Sequence, residues 1–315
     1  MRVLAHIGYH KTGSSWLQHS VFEDPESGYG SVGHESPSHP LRRIVSEHPF
    51  RYDAAAIRRE LATLIGAVEG RGLYPAISLE RLSGQHFTGG SDSCQIADRL
   101  REALDDAGVL IVIREQRSMI VAVYKQYVKA GGTASVSQFL GPSRDRAARA
   151  DLFDLSFFEY EHLLRYYRGL FGTERVLVLP FEAFVRDGRA FLEQIGAFTG
   201  RAFPDAFLSR LGYGTRDNES ISALSIATLR QVNRFAPRTE LNPGPALESR
   251  TATWLRKRLK KPNVLERPFA ERLAAGADAK LRRVVEATVG DRYVESNRAT
   301  AELTGLDLAS YGWPT

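Results

Sequence analysis

The chain has a single cysteine, Cys94, among 315 residues, which rules out an internal disulfide and any cysteine-rich zinc site and suits a reducing compartment. No run reaches the roughly 18 consecutive apolar residues that a membrane-spanning helix needs. A secretory leader needs a basic start followed by a longer apolar run, whereas here Val3 to Ile7 leads straight into a Gly/Lys loop. The N-terminus is therefore expected to be structural and the protein cytoplasmic. Charge of one sign is scarce as well. Forty-two basic against 37 acidic residues leave +5, too little at this length to argue for a nucleic-acid partner. Of the eight histidines only His6 and His10 share an H-x-x-x-H spacing, and that pair runs from a predicted strand into a loop rather than along a helix; none has H-x-x-E-H spacing, so no metal is expected. Internal repeats are lacking, and no stretch is polar enough to look disordered.

What is present is a rhythm of short apolar runs followed by helical patterns, the signature of parallel βαβ units and hence of an α/β fold. Strands are predicted at Val3 to Ile7, Ala76 to Leu79, Val109 to Ile113 and Arg175 to Phe181. The third is apolar at every position, as a central strand covered on both faces is. Helices are predicted after the first loop (with Trp16, Leu17 and Val21 on one side), over Ala54 to Val68, from about Arg117 to Ala130, and over Phe184 to Phe198. Residues 23–52, rich in Gly, Ser, Pro and His and without a period, read as a long loop. Helical spacing dominates from about residue 221. The chain is expected to form one domain, 1–315, with Pro237 to Pro245 the only plausible internal boundary. The densest basic run, Arg256 to Lys261, could meet an acidic lipid or an anionic glycan, although a solvated helix face is the default for so short a run.

The segment Gly8-Tyr-His-Lys-Thr-Gly-Ser-Ser-Trp16 lies between the first strand and the first helix. A glycine turn there presents backbone N–H groups at a helix N-terminus, where orphan donors and the helix dipole attract a phosphate or sulfate. In a nucleoside-triphosphate loop a lysine follows the second glycine directly. Here Ser14 follows Gly13, and the lysine comes earlier, at Lys11, which favours a ligand with a shorter anionic tail.

Lys11-Thr-Gly-Ser-Ser-Trp16 closely resembles the 5′-phosphosulfate loop of sulfotransferases that use 3′-phosphoadenosine 5′-phosphosulfate (PAPS), usually Tyr-Pro-Lys-Ser-Gly-Thr-Thr-Trp. Tyr9, Lys11, Gly13 and Trp16 match outright, and Thr12, Ser14 and Ser15 keep the hydroxyl type. His10 replaces the usual Pro, as in bacterial members with a His-Lys pair. The resemblance implies a P-loop-like three-layer fold, with residues 10–16 holding the 5′-phosphate and Lys11 facing the bridging oxygen. It also implies a second anchor for the ribose 3′-phosphate, an Arg at a strand end and a Ser eight residues on. Arg114 matches, but Ala122 stands where the serine is expected. Ser118, one turn earlier on the same helix face, is the substitute donor, and Arg216 is a late basic candidate. Weaker likeness extends through Tyr127 to Thr133, Val176 to Glu182 and Gly305 to Gly312, so it covers nearly the whole chain. The glycine-rich C-terminal loop of the animal cytosolic branch is missing.

An acceptor hydroxyl attacking sulfur must lose its proton, so a base is needed within reach. Glu80 follows the second predicted strand and should face the same crevice as the loop. Glycan sulfotransferases of similar fold use a glutamate in this region, which supports Glu80, with His86 and His10 in reserve. The function expected is therefore PAPS-dependent sulfuryl transfer to a small-molecule or glycan acceptor, of carbohydrate or glycolipid type. Glycolipid would bring peripheral membrane contact. Two alternatives stay open. One is a P-loop kinase, disfavoured because no lysine follows Gly13 and Arg114 stands where a Mg²⁺-binding Asp is needed. The other is a non-catalytic module binding a nucleotide or sulfated glycan, for which Ala122 is the best argument.

Overall fold

The computed structural model describes the chain except residues 34, 35, 37, 87, 88, 142–152, 214–220, 238–240, 243–248 and 261–267. Its centre is an all-parallel sheet of five strands, β1 (Val3–His6), β2 (Tyr29–Ser31), β3 (Tyr74–Ser78), β4 (Ala107–Ile113) and β5 (Val176–Pro180), in the order β2-β3-β1-β4-β5. The protein is thus α/β, as the alternating pattern predicts.

Strand alternation sorts the core into two faces. Val3, Ala5, Ile77, Val109, Ile111, Ile113, Val176 and Val178 point to one face. That face is covered by α2 (Pro40–Ser46), α3 (Ala54–Glu69), α4 (Ser93–Ala103), α5 (Gln116–Ala130), α6 (Val136–Leu140) and α7 (Tyr160–Phe171). Leu4, Ala76, Leu110, Val112 and Leu179 point the other way. They meet the short helix α1 (Ser14–Trp16), its π-wound continuation Leu17–Phe22, and α9 (Gly188–Thr199) and α10 (Asp205–Arg210). All seven residues of β4 are buried, which is why its sequence carries no polar alternation.

Residues 23–52 depart from the predicted loop. They contain the edge strand β2 and the helix α2, with single 3₁₀ turns at Pro25–Ser27 and Pro49–Arg51. The strand was hidden because it is three residues long and has Gly30 at its centre. A Cβ there would come within 2.6 Å of Val68 Cγ1, so close packing of β2 on α3 demands the glycine that erases the strand signature. The helix predicted over Phe184 to Phe198 is two helices, α8 (Phe181–Arg186) and α9. Asp187, extended at φ −152°, ends the first and caps the second by accepting from Ala190 N.

The later helices α11 (Ala223–Asn233), α12 (Arg250–Leu259), α13 (Pro268–Val289) and α14 (Val294–Thr304) lie outside α5, α6 and α7, and Ile226, Leu229, Leu281 and Val285 join the first-face core. Asn233, buried, fixes α11 to α5: its Nδ2 donates to Val128 O at 2.8 Å and Gly132 O at 2.9 Å. Asn233→Leu leaves that end of α5 short of a buried donor, and a loss of about 2 kcal/mol is expected in urea unfolding.

Candidate functional site

Because all five strands run the same way, their C-terminal ends open on one edge. The chain moves from β1 to β3 on one side and then to β4 on the other, so the loops after β1 and β4 diverge and leave a crevice. Lys11, Glu80 and Arg114 all follow strand ends on that edge.

The loop after β1 is held tightly. A Cβ on Gly8 would lie 2.5 Å from His6 Nε2, and one on Gly13 would lie 3.2 Å from the Phe181 ring. The Tyr9 ring is buried among Phe157, Phe158 and Tyr160. Thr12 Oγ1 donates to Tyr9 O at 2.6 Å, and helix α1 starts when Leu17 N donates to Gly13 O at 3.1 Å. Gly13 is left-handed at φ 84°, and so is Lys11 at φ 68°, the one non-glycine residue with positive φ among the described residues. A lysine in that region costs about 1 kcal/mol. Arg114 holds it there, its Nη1 donating to Lys11 O at 2.9 Å. Ser14 Oγ is buried and has no hydrogen-bond partner, while Ser15 is half-buried. A buried hydroxyl left unsatisfied at the start of a helix, beside a lysine, is the chemistry of an anion site. Trp16 faces the second core, against Phe184 at 4.6 Å and Tyr213 at 6.2 Å, and so wedges the helix in place.

Glu80 opens a 3₁₀ turn, Glu80–Ser83, beyond β3. Its Oε2 lies 3.0 Å from His10 Nδ1. Burial pushes the Glu80 carboxyl up, but the hydrogen bond from His10 and the charges of His10, Lys11 and His6 outweigh burial and hold it below the ordinary range. An ionised carboxylate only accepts, so His10 Nδ1 carries the proton. Arg81, a conceivable competitor for Glu80, is instead paired with Asp92. The Lys11 ammonium is pushed down from its ordinary value, by burial first, with Glu80 acting against it and Lys129 and Arg114 adding to it.

The His86 ring packs against that of His10 at a tilt of 49°, with ring centroids 3.9 Å apart. Burial, with the charges of His10, Lys11 and Arg81, pushes it down to about 2, so it is neutral and a poor proton acceptor. His6 is buried beneath the loop, its Nδ1 2.7 Å from Ser78 Oγ and its Nε2 unpartnered. Burial lowers it to about 4. Unfolded, it takes up a proton near 6.5; folded, it does not until about 4. Stability contributed by His6 is therefore present above 6.5 and falls by about 1.4 kcal/mol for each pH unit between those values. Urea midpoints across that window should slope less for His6→Asn than for the natural chain.

At the end of β4, the Arg114 guanidinium sits 4.9 Å above the centre of the Phe181 ring, and Tyr160 Oη donates to its carbonyl at 2.6 Å. Burial lowers its pKa, opposed by Glu182, Tyr160 and Glu115, with Arg282 of α13 adding to the lowering. The N-terminus of α5 already holds a carboxylate: Glu115 accepts from Arg117 N at 2.9 Å and Ser118 N at 2.8 Å. Glu182 Oε1 accepts from Glu115 N at 3.0 Å, while its Oε2 is buried without a partner. The Ser118 hydroxyl makes no hydrogen bond among the described residues, and Ala122 is half-buried one turn on. Arg216 lies outside the described residues.

The structure thus brings His10, Lys11, Ser14, Glu80, His86 and Arg114 to one edge. It adds Phe181 and Glu182, which the sequence reading missed. An aromatic and an acid directly after a strand end were the available signal for them.

No family model matches the chain, and no curated protein matches it. The structure is similar to that of a sulfotransferase from Alicyclobacillus acidocaldarius over 67% of this chain and 86% of that one, with 21% sequence identity and a TM-score of 0.46.

Proposed function

We propose that this protein transfers a sulfuryl group from PAPS to an acceptor hydroxyl of carbohydrate or glycolipid type. The observation that carries the reading is the convergence of the loop lysine Lys11 and the unsatisfied hydroxyl of Ser14 with the ionised Glu80–His10 pair at one crevice. PAPS fits this chain because the lysine precedes the second glycine, where it reaches the bridge between phosphate and sulfate. The donor supplies a sulfuryl group attached to a good leaving phosphate. Backbone N–H groups of Thr12 to Ser15 and the hydroxyls of Ser14 and Ser15 hold the 5′-phosphate. Arg114 binds the 3′-phosphate, with Ser118 and Arg216 as the further donors the reading calls on.

The bond formed is from acceptor oxygen to sulfur, and the bond broken is from sulfur to the bridging oxygen. Lys11 stabilises the negative charge that grows on that oxygen. Glu80 takes the acceptor proton on its free oxygen, while His10 holds the other oxygen and so orients the carboxylate.

Calorimetry with adenosine 3′,5′-bisphosphate against ATP with Mg²⁺ tests the reading. Binding of the bisphosphate at least about tenfold tighter is expected, and preference for ATP would overturn it in favour of a kinase. A non-catalytic module is the second reading, favoured by the Glu115 carboxylate that already occupies the N–H groups of Arg117 and Ser118. Bisphosphate binding without any turnover of PAPS across a panel of hydroxyl acceptors would favour it.

A further inference from the structure

Helix phase divides the basic run of α12 in two. Lys257 and Arg258 are exposed, as is Trp254, with Arg258 lying over its ring at 5.5 Å. Arg256 and Lys260, one turn apart on the same side, are half-buried. Arg256 Nη2 donates to Ala130 O at 3.1 Å, which pins this side of α12 to the end of α5, and Arg256 Nε is buried without a partner. Lys129 is in the last turn of α5 and is also half-buried. Lys125, one turn earlier, has the usual counter-charge, Asp278 Oδ1 at 2.8 Å. Lys129, Arg256 and Lys260 have no ion pair among the described residues.

Three cations gathered in a half-buried place, with no acid paired to them among the described residues, repel one another and give up hydration without return. Lys260 is pushed down by burial and by Arg256 and Lys129, and Lys129 acts in the same sense on Lys11. The group is therefore within electrostatic reach of Lys11. It sits at the opposite end of α5 from Arg114, about 20 Å along the helix axis, away from the residues assigned to the 3′-phosphate.

Resting on the sulfuryl-transfer reading, we propose that Lys129, Arg256 and Lys260 form an anion subsite for the acceptor, binding a carboxylate or sulfate that the acceptor carries near its reacting hydroxyl. A flat lipid surface would meet the exposed Trp254, Lys257 and Arg258 instead, so the occupant is a flexible anionic glycan that can reach the half-buried side of α12.

The test is calorimetry on the full chain saturated with adenosine 3′,5′-bisphosphate. The probes are a tetrasaccharide of alternating glucuronate and N-acetylglucosamine and its carboxyl-reduced, uncharged counterpart. The charged sugar is expected to bind about tenfold or more tightly than the reduced one, with the difference shrinking as salt rises. In the Lys129→Gln/Lys260→Gln double variant the preference falls to within about twofold, whereas Lys257→Gln on the exposed side keeps it. Urea midpoints check folding, and removing mutually repelling charges should not lower them. Equal binding of the two sugars by the natural chain, or a preference that survives the double variant, would overturn the subsite. So would loss of bisphosphate affinity in the double variant with sugar preference intact, since the cations would then serve the donor. Failure of the underlying reading has its own signature, preference for ATP over the bisphosphate before any sugar is added.

Discussion

Lys11→Met lowers the rate of sulfuryl transfer by about 10²–10³-fold, equivalent to about 3–4 kcal/mol of lost transition-state stabilisation. The size follows from where the ammonium sits. It is partly buried and its pKa is lowered by that burial, so its field on the bridging oxygen is screened less than in water. The charge it opposes exists only as the S–O bond breaks. Affinity for adenosine 3′,5′-bisphosphate therefore falls far less than the rate, by about tenfold at most. Lys11 protonated is the active form, so the rate is retained at neutral pH and lost at high pH, with the limb below the ordinary lysine value of 10.5. The backbone adds a second readout. Lys11 is left-handed at φ 68°, where glycine is unstrained, so Lys11→Gly raises stability by about 1 kcal/mol while removing activity. Stopped-time assays and urea unfolding of the two variants check both halves; a Lys11→Met enzyme within about tenfold of the natural rate would remove Lys11 from the chemistry.

Glu80→Gln lowers kcat by about 10²–10⁴-fold with bisphosphate affinity nearly unchanged. The amide keeps the shape and can still accept from His10 Nδ1, but it cannot take a proton at neutral pH. The pH profile identifies the base. Glu80 is held below the ordinary carboxyl range by His10 and Lys11, so the active, ionised form persists down to acid, and the acid limb of kcat lies below 4.5. An acid limb near the ordinary histidine value would transfer the proton to His10, and His10→Asn would then cost as much as Glu80→Gln. With Glu80 as base, His10→Asn lowers the rate less, because it loosens the carboxylate without removing it.

Four of the five strands were legible because each is a short apolar run bounded by turn residues or charge. β2 was not, since its central Gly30 is required by contact with α3 rather than by any local preference. The place of the loop at residues 8–16, between the first strand and the first helix, was legible from its glycines and the apolar run before them. Its left-handed Lys11 was not, because the restraint comes from Arg114, a hundred positions later in the chain. Separation along the chain also hid the His10–Glu80 pair and made Glu80 look like a lone base. Ala122 drew attention as a missing hydroxyl, yet the larger departure is Glu115, whose carboxylate caps α5. An acid before a helix looks like an ordinary cap in sequence, and it matters here only because of the strand end it follows. The basic run was visible as composition, while its division into an outer and an inner pair needed the phase of α12.

β1 lies between β3 and β4, so both of its neighbours are made after it, the second only at residues 107–113. During synthesis the strand that carries the loop at residues 8–16 emerges with nothing to pair with, and helices such as α3 close on local contacts first. Among the strand pairings of the sheet, closure of β4 on β1 has the greatest sequence separation, and a slow refolding phase is expected from it. Substitutions at Leu4 or Ala5 are then felt in the refolding rate, and the newly made β1, with two bare edges, is where a chaperone has most to protect.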